Sequence, residues 1–280
     1  MKPKSRTILI TGVSSGIGYG MAKEFISRDY KVFGSVRKEE DVQRLKSELG
    51  EKFIPLIIDI TNQSLINKAA EKVHSYLEGN GLGGLINNSG ISIPGPVEYL
   101  DIDRASYSFD VNVLGVLRVT KAFLPLMGTQ NEHPVLPGRI LNISSVSGKI
   151  SAPYLAAYTG TKHALEGISH CLRKELLPFG IDVVIIGPGQ VQTPIWDKES
   201  LDEFQDTKYI SSMMKFFTYL VYKGKKGMTS AECSRRIADI FETEKPKTRY
   251  AIVQNKFKDW ILPLLLPDRV VDRITLKKLM

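Results

Sequence analysis

The chain has 280 residues, with 38 Lys+Arg against 30 Asp+Glu, a formal net charge of +8. That length suits one large domain, or one domain with an appendage, and a hydrophobic content of 42% excludes wholesale disorder. Cys171 and Cys233 make no disulfide framework and no paired metal spacing, so a reducing, cytoplasmic setting is expected.

The charge is not spread evenly. Residues 1–206 hold 22 Lys+Arg and 23 Asp+Glu, whereas residues 207–280 hold 16 and 7. A near-neutral body with a basic C-terminal region argues against a nucleic-acid binder.

The predicted elements alternate. Thr7–Thr11 reads as a strand and Gly16–Arg28 as a helix. The basic residues Lys2, Lys4 and Arg6 before the strand imitate a signal peptide, but the apolar run is too short and ends in a Gly/Ser turn. Then come a strand Lys31–Val36, a helix Glu40–Leu49, a strand Phe53–Asp59, and a helix Ser64–Leu77 with Ser64 as its expected N-cap. A strand Leu82–Asn87 leads to a long helix Asp103–Met127. The loop Thr129–Gly138 contains His133, which has no ligand-spaced neighbour, so no metal is expected. A strand Arg139–Ser144, a helix Tyr158–Leu177, a strand Asp182–Ile186, a helix Ser230–Thr243 and a strand Arg249–Val253 complete the order. The strands are β-branched runs, apolar on both faces, as a covered parallel sheet requires. Regular alternation predicts an α/β, doubly wound parallel sheet in a single domain over 1–280. Within it, 5–193 is the expected core, 194–228 a lid and 254–280 an extension. The apolar stretch Trp260–Leu266 is broken by Pro263 and falls far short of the roughly 20 residues that span a membrane.

Thr11-Gly-Val-Ser-Ser-Gly-Ile-Gly18 follows the first strand and opens the first helix. Gly12 permits a sharp turn, Gly16 a close backbone approach to a pyrophosphate, and Gly18 close helix–strand packing. Ser14, Ser15, Ile17 and the free N–H groups of the helix start suit anionic oxygens. At the end of the second strand, Arg37 stands where an NAD site usually has an acid, so NADP is favoured: a guanidinium can hold a 2′-phosphate. Solvated loop charge is the alternative reading of Arg37 and Lys38. Asp59, beside Ile60, suits an adenine amino group, or simply a turn with Thr61 and Asn62. Asn87-Asn88-Ser89-Gly90 closes the fourth strand, where an open sheet has its ligand crevice.

Tyr158 and Lys162 are four residues apart on a predicted helix and share a face. An ammonium beside a phenol lowers its pKa from about 10 and lets it exchange a proton with an alcohol or carbonyl oxygen. Ser145 is placed to hydrogen-bond that oxygen. Asn112, polar within an apolar helix, is expected to bend it and hold a proton-relaying water.

Together these motifs resemble the short-chain dehydrogenase/reductase family over about residues 5–200. Thr11-Gly-x-x-x-Gly-x-Gly18, Asp59, Asn87-Asn-Ser-Gly90, Asn112, Ser145, Tyr158-x-x-x-Lys162 and Pro188-Gly-x-Val-x-Thr193 carry the resemblance. It implies a Rossmann-type fold and a catalytic tetrad of Asn112, Ser145, Tyr158 and Lys162. It also implies cofactor contacts from Asn88, Gly90, Tyr158, Lys162, Pro188, Val191 and Thr193, and a homodimer or homotetramer. Ser89 and Gly160-Thr161 depart from the family's usual Ala and Ala/Ser-Ser. The core looks closest to the retinol- and hydroxysteroid-dehydrogenase-like branch, through Arg37 and Leu172-Arg-Lys-Glu-Leu-Leu-Pro-Phe-Gly180.

The segment Pro194–Gly227 carries Trp196, Tyr209, Ile210, Met213, Phe216 and Phe217, which suits a small apolar substrate. Five lysines and no acid lie between Thr207 and Ser230, and Lys256-Phe-Lys258 precedes Trp260. This pattern suggests peripheral contact with an anionic membrane, with an acidic carrier or coenzyme A thioester as the other reading. The expected activity is NADP(H)-dependent interconversion of an alcohol and a ketone or aldehyde on a steroid-, retinoid- or lipid-like molecule. The alternatives are a 3-oxoacyl-thioester reductase and a non-catalytic NADP(H) sensor.

Overall fold

Strand β1 (Thr7–Ile10) lies at the centre of a seven-stranded sheet, with β2 (Lys31–Val36) on one side and β4 (Gly84–Asn87) on the other. The computed structural model describes residues 5–129, 135–193 and 201–279. Lys2, Lys4, His133, Pro194 and Trp196 lie outside the described residues, as does the rest of 194–200 in the expected lid.

The sheet also contains β3 (Phe53–Ile57), β5 (Arg139–Ile143), β6 (Asp182–Pro188) and β9 (Arg249–Ile252). Its order is β3-β2-β1-β4-β5-β6-β9, with every pairing parallel. A small parallel pair, β7 (Val191–Gln192) and β8 (Met228–Thr229), lies apart from it.

Side chains alternate across each strand, and both faces are covered. Ile8 and Ile10 enter one core cluster while Leu9 enters the other; Ile86 and Leu85 divide the same way. The first core lies under α1 (Gly16–Ser27), α2 (Glu39–Leu49) and α8 (Ser230–Glu242). There Phe25 meets the rings of Tyr30 and Phe241 edge-on at 5.2 and 5.3 Å. The second lies under α3 (Gln63–Leu77) and α5 (Val116–Phe123).

Three expectations change. Asn62 caps α3, accepting from the Leu65 N–H at 3.1 Å, so the helix starts before Ser64. The expected long helix is a continuous path in four parts: α4 (Ile102–Phe109), a widened π-helical turn over Asp110–Gly115, α5, and a tighter 3-10 turn over Leu124–Met127. Asn112 sits inside the widened turn. The helix α6 (Ala156–Glu175) begins two residues before Tyr158.

The segment expected to be a lid contains a helix that composition did not announce, α7 (Ile210–Lys225). Met213 and Phe217 are its buried one-turn pair. After β9 come a second π-helical turn (Phe257–Ile261), α9 (Leu262–Leu265) and α10 (Asp268–Leu279), which packs on α7.

Candidate active site

The chain reverses its direction of travel across the sheet between β1 and β4, and such a switch point opens a crevice at the strands' carboxyl ends. The turn Thr11–Gly18 is on one side of it. Gly12 and Gly16 hold positive φ values of 71° and 60°. A Cβ on Gly18 would lie 2.0 Å from the Gly12 carbonyl oxygen, so the close helix–strand contact requires glycine. The turn is pinned from both sides. Ser35 Oγ on β2 accepts from the Gly12 N–H at 2.9 Å, and Asn88 Nδ2 donates to the Thr11 and Gly12 carbonyls at 2.9 and 3.0 Å.

This cradle fits a pyrophosphate. Ser15, the N-cap of α1, makes no side-chain capping bond, and the first turn carries no acid. Its N–H groups are therefore left to an anion. Gly16 faces the Thr193 side chain, which a Cβ would approach at 3.4 Å. Ser14 and Ile17 are half-buried and Ser15 is exposed. Val191 is buried in β7, and Pro188 ends β6.

Asp59 is half-buried after β3. Burial raises its pKa, but bonds from the Thr61 N–H (2.9 Å) and hydroxyl (2.7 Å), with Arg37 nearby, bring it below the usual carboxylate value. The turn reading of Asp59 therefore holds: one carboxylate oxygen serves Thr61. Arg37 is exposed beside it. Ile60 is buried, packing where Gly115 leaves room in the widened turn.

The four reactive candidates converge from separate elements. Ser145 follows β5, and its Oγ accepts from the Ser147 N–H at 3.0 Å. Tyr158 is half-buried on the first turn of α6. Lys162 is buried one turn further on, and its Nζ donates to the Ile143 carbonyl at 3.0 Å. Asn112 Oδ1 accepts from the Ile91 N–H and its Nδ2 donates to the Ile91 carbonyl, both at 2.8 Å. Asn112 and Lys162 meet at Gly90, where a Cβ would lie 3.1 Å from Asn112 Oδ1 and 3.7 Å from Lys162 Nζ.

The electrostatics differ from the sequence expectation. Tyr158 is raised above 10, because burial outweighs the opposing hydrogen bond with Ser145. Lys162 is lowered by burial to about 8. Water exclusion, not the ammonium, sets both values in this state.

The match to the short chain dehydrogenase family model spans residues 6–203. The chain belongs to the short-chain dehydrogenase family. It is 33% identical to an NADPH-dependent 3-dehydrocapnine reductase of Ornithobacterium rhinotracheale, over 98% of this chain and 97% of that protein. It is 30% identical to retinol dehydrogenase 16 of Mus musculus, over 97% of this chain and 88% of that one. A solved short-chain dehydrogenase from Streptomyces avermitilis is 26% identical, with a TM-score of 0.77 over 99% of this chain and 96% of that chain. The chain is thus an oxidoreductase of this family, similar to a retinol dehydrogenase.

Two of its departures from the usual short-chain dehydrogenase pattern, Thr161 and Gly160, have structural accounts. Thr161 Oγ1 accepts from Asn112 Nδ2 at 3.0 Å and donates to the Tyr158 carbonyl at 2.7 Å, linking two of the four candidates. A Cβ on Gly160 would meet the Phe109 ring at 3.2 Å. The Ser89 N–H donates to Thr11 Oγ1 at 3.0 Å.

Of the expected lid residues, Tyr209, Ile210, Met213, Phe216, Phe217 and Leu220 join one apolar cluster with Tyr154, Leu155 and Tyr158. Met214, Tyr219 and Tyr222 face outward instead. Sequence reasoning missed Tyr154, whose hydroxyl bonds Ser212 Oγ at 2.7 Å across to the lid. It also missed Ser35, Arg249 and Glu166. Only Glu166 carried a signal, its position four residues after Lys162.

Proposed function

We propose that this short-chain dehydrogenase interconverts an alcohol and a ketone or aldehyde on an apolar substrate, with Tyr158 as the acid/base. Its cofactor is NADP(H), which when bound supplies or accepts the hydride. The turn 12–18 and Thr193 hold the pyrophosphate, and Arg37 the 2′-phosphate. Asp59, Ile60, Asn88, Gly90, Pro188 and Val191 line the remaining cofactor path. Ser145 donates a hydrogen bond to the substrate oxygen as its charge develops. Tyr158 gives that oxygen its proton during reduction and removes it during oxidation. Lys162 steadies the phenolate that forms. Asn112, whose side chain is engaged by Ile91 and Thr161, shapes the widened turn, so a relaying water would bond to that turn's backbone.

The observation that carries the substrate class is the seating of Tyr158 in a cluster of apolar lid side chains. An acid/base group walled by Leu155, Met213 and Phe217 favours a hydrophobic carbonyl compound. The relative from Ornithobacterium, named as NADPH-dependent, supports the cofactor. A panel of apolar ketones, aldehydes and 3-oxoacyl thioesters tests the reading by NADPH oxidation. Turnover of medium-chain aldehydes or ketones is expected. Turnover of thioesters alone would favour the rival reductase, and none at all a sensor.

The C-terminal segment contributes an anionic-membrane contact. Among the described residues no helix is long and apolar enough to cross a membrane. Phe257, Leu264 and Leu265 are nevertheless exposed beside Lys256 and Lys258. Basic and apolar side chains side by side favour an anionic lipid surface. Trp260 is not part of that surface: it is half-buried against Arg249. Salt-sensitive co-sedimentation with phosphatidylserine vesicles is expected, and absence of binding at low salt would reject the contact. The protein assembles as a homodimer or homotetramer, which sedimentation velocity tests.

A further inference from the structure

An ion pair between a buried carboxylate and a largely covered guanidinium lies behind Ser145. Glu166 is on α6, one turn beyond Lys162, with its side chain 1% exposed. Arg249 opens β9. Arg249 Nε donates to both Glu166 carboxylate oxygens at 3.0 Å, and Nη2 to Oε1 at 2.8 Å. The same Nη2 donates to the Ser145 backbone carbonyl at 3.2 Å. Ser144 Oγ donates to Glu166 Oε1 at 3.1 Å, and Lys149 Nζ lies 3.4 Å from Oε2. The pair therefore holds both residues that follow β5.

The C-terminal segment closes over this network. The Trp260 ring covers the guanidinium, with Cζ 4.1 Å from the ring centre. Within β6, a Cβ on Gly187 would stand 2.7 Å from Arg249 Nη2, so a side chain there would push the guanidinium aside. An ion pair at this depth is costly to desolvate, and apolar replacements often stabilise as well or better. Stability alone gives a weak reason for it. The bond to the Ser145 carbonyl gives a specific one. A planar fork with five donors can bond a carboxylate and a carbonyl together, while a lysine ammonium lacks that geometry.

We propose that Arg249 is a positioning residue for Ser145: braced by Glu166 and Trp260, it fixes the Ser145 backbone so that the hydroxyl stays on Tyr158 and the substrate oxygen. The C-terminal segment is thereby coupled to the reactive site. The proposal rests on the catalytic reading of Ser145 given above.

The test uses full-length protein as wild type, Ser145→Ala, Arg249→Ala, Arg249→Lys and Trp260→Ala. Three readouts are taken: NADPH oxidation with 9,10-phenanthrenequinone as the probe carbonyl, NADPH affinity by fluorescence, and backbone amide exchange over Ser144–Lys149. For Arg249→Ala, kcat should fall about ten-fold or more, while KM and NADPH affinity stay within about three-fold. Exchange over Ser144–Lys149 should rise. Arg249→Lys should recover part of kcat, and Trp260→Ala should fall between Arg249→Ala and wild type. Wild-type kcat or unchanged exchange in Arg249→Ala would overturn the proposal. So would a loss of kcat matched by an equal loss of NADPH affinity, the mark of general unfolding. Ser145→Ala at the wild-type rate would refute the catalytic role of Ser145 instead, and the exchange data would still report whether Arg249 holds that segment.

Discussion

The Lys162 ammonium lies over the Tyr158 ring, 5.7 Å from its centre, and donates to the carbonyl of Ile143. Both groups are desolvated, and each is biased toward its neutral form. In the proposed carbonyl reduction, a Tyr158 that is protonated at neutral pH is ready to give a proton.

Tyr158→Phe removes that proton and little else. Turnover should fall by about 10²–10⁴-fold, the usual contribution of a positioned acid/base. NADPH binding, measured by fluorescence, should persist. In the wild type, reduction should hold steady through neutral pH and decline only in the alkaline range, because burial pushes the Tyr158 phenol up from its ordinary value. A variant with near-normal rates would remove Tyr158 from the chemistry.

Lys162 gives a stability prediction with a definite sign. Its folded-state pKa is about 8, against 10.5 for the free side chain. Between those values the unfolded chain holds more protons, so stability rises with pH. Below that window the cost of burying the charge is fully present, on the order of 3 kcal/mol at about 1.4 kcal/mol per pKa unit. Lys162→Met should therefore be more stable than wild type near neutral pH, despite the lost bond to Ile143. The gap should narrow as pH rises through the window. Urea unfolding at neutral and alkaline pH measures it, and a gap that is independent of pH would contradict the buried charge.

Arg37 decides cofactor choice in this reading. It is exposed at the end of β2, beside Asp59. Losing a charge-assisted bond of about 1.5–3 kcal/mol, Arg37→Ala should bind NADPH about ten- to a hundred-fold more weakly. NADH affinity should barely move, since NADH has no 2′-phosphate. Equal losses for both cofactors would place Arg37 in a general electrostatic role.

The geometry of the glycine turn and of the Tyr158–Lys162 pair was legible in the sequence because it is local. The turn 11–18 carries its own glycines, and Tyr158 and Lys162 share one helix face by spacing alone. Strand and helix order followed from β-branched runs and turn residues. What was not legible depends on distant pairing. Arg249 and Glu166 are 83 residues apart in the chain and meet only because β9 pairs with β6. Asn62 took the capping role from Ser64 through a two-residue shift that both residue types permit. The pKa of Tyr158 was misjudged for a related reason: spacing shows which charges are near, but not how much water is excluded. Met214, Tyr219 and Tyr222 of the apolar lid run face out, because composition without register does not say which side of α7 is buried.

Tyr154 offers the sharpest test of the lid. It holds a positive φ of 62°, a costly conformation for a bulky residue, nine positions after Ser145. Its ring meets Tyr209 and Phe216 at 6.4 and 5.8 Å, and its hydroxyl bonds Ser212. The strain is thus offset by contacts that draw α7 over Tyr158. Tyr154→Phe removes only the bond to Ser212 and should cost about 1 kcal/mol of stability. Tyr154→Ala removes the ring contacts as well. It should raise KM for a long apolar aldehyde such as decanal several-fold, while the poor KM for propanal, which reaches few lid side chains, stays the same. Steady-state kinetics on the two aldehydes provide the comparison. A parallel rise for both would mean that Tyr154 shapes the reactive centre itself, not the apolar wall beyond it.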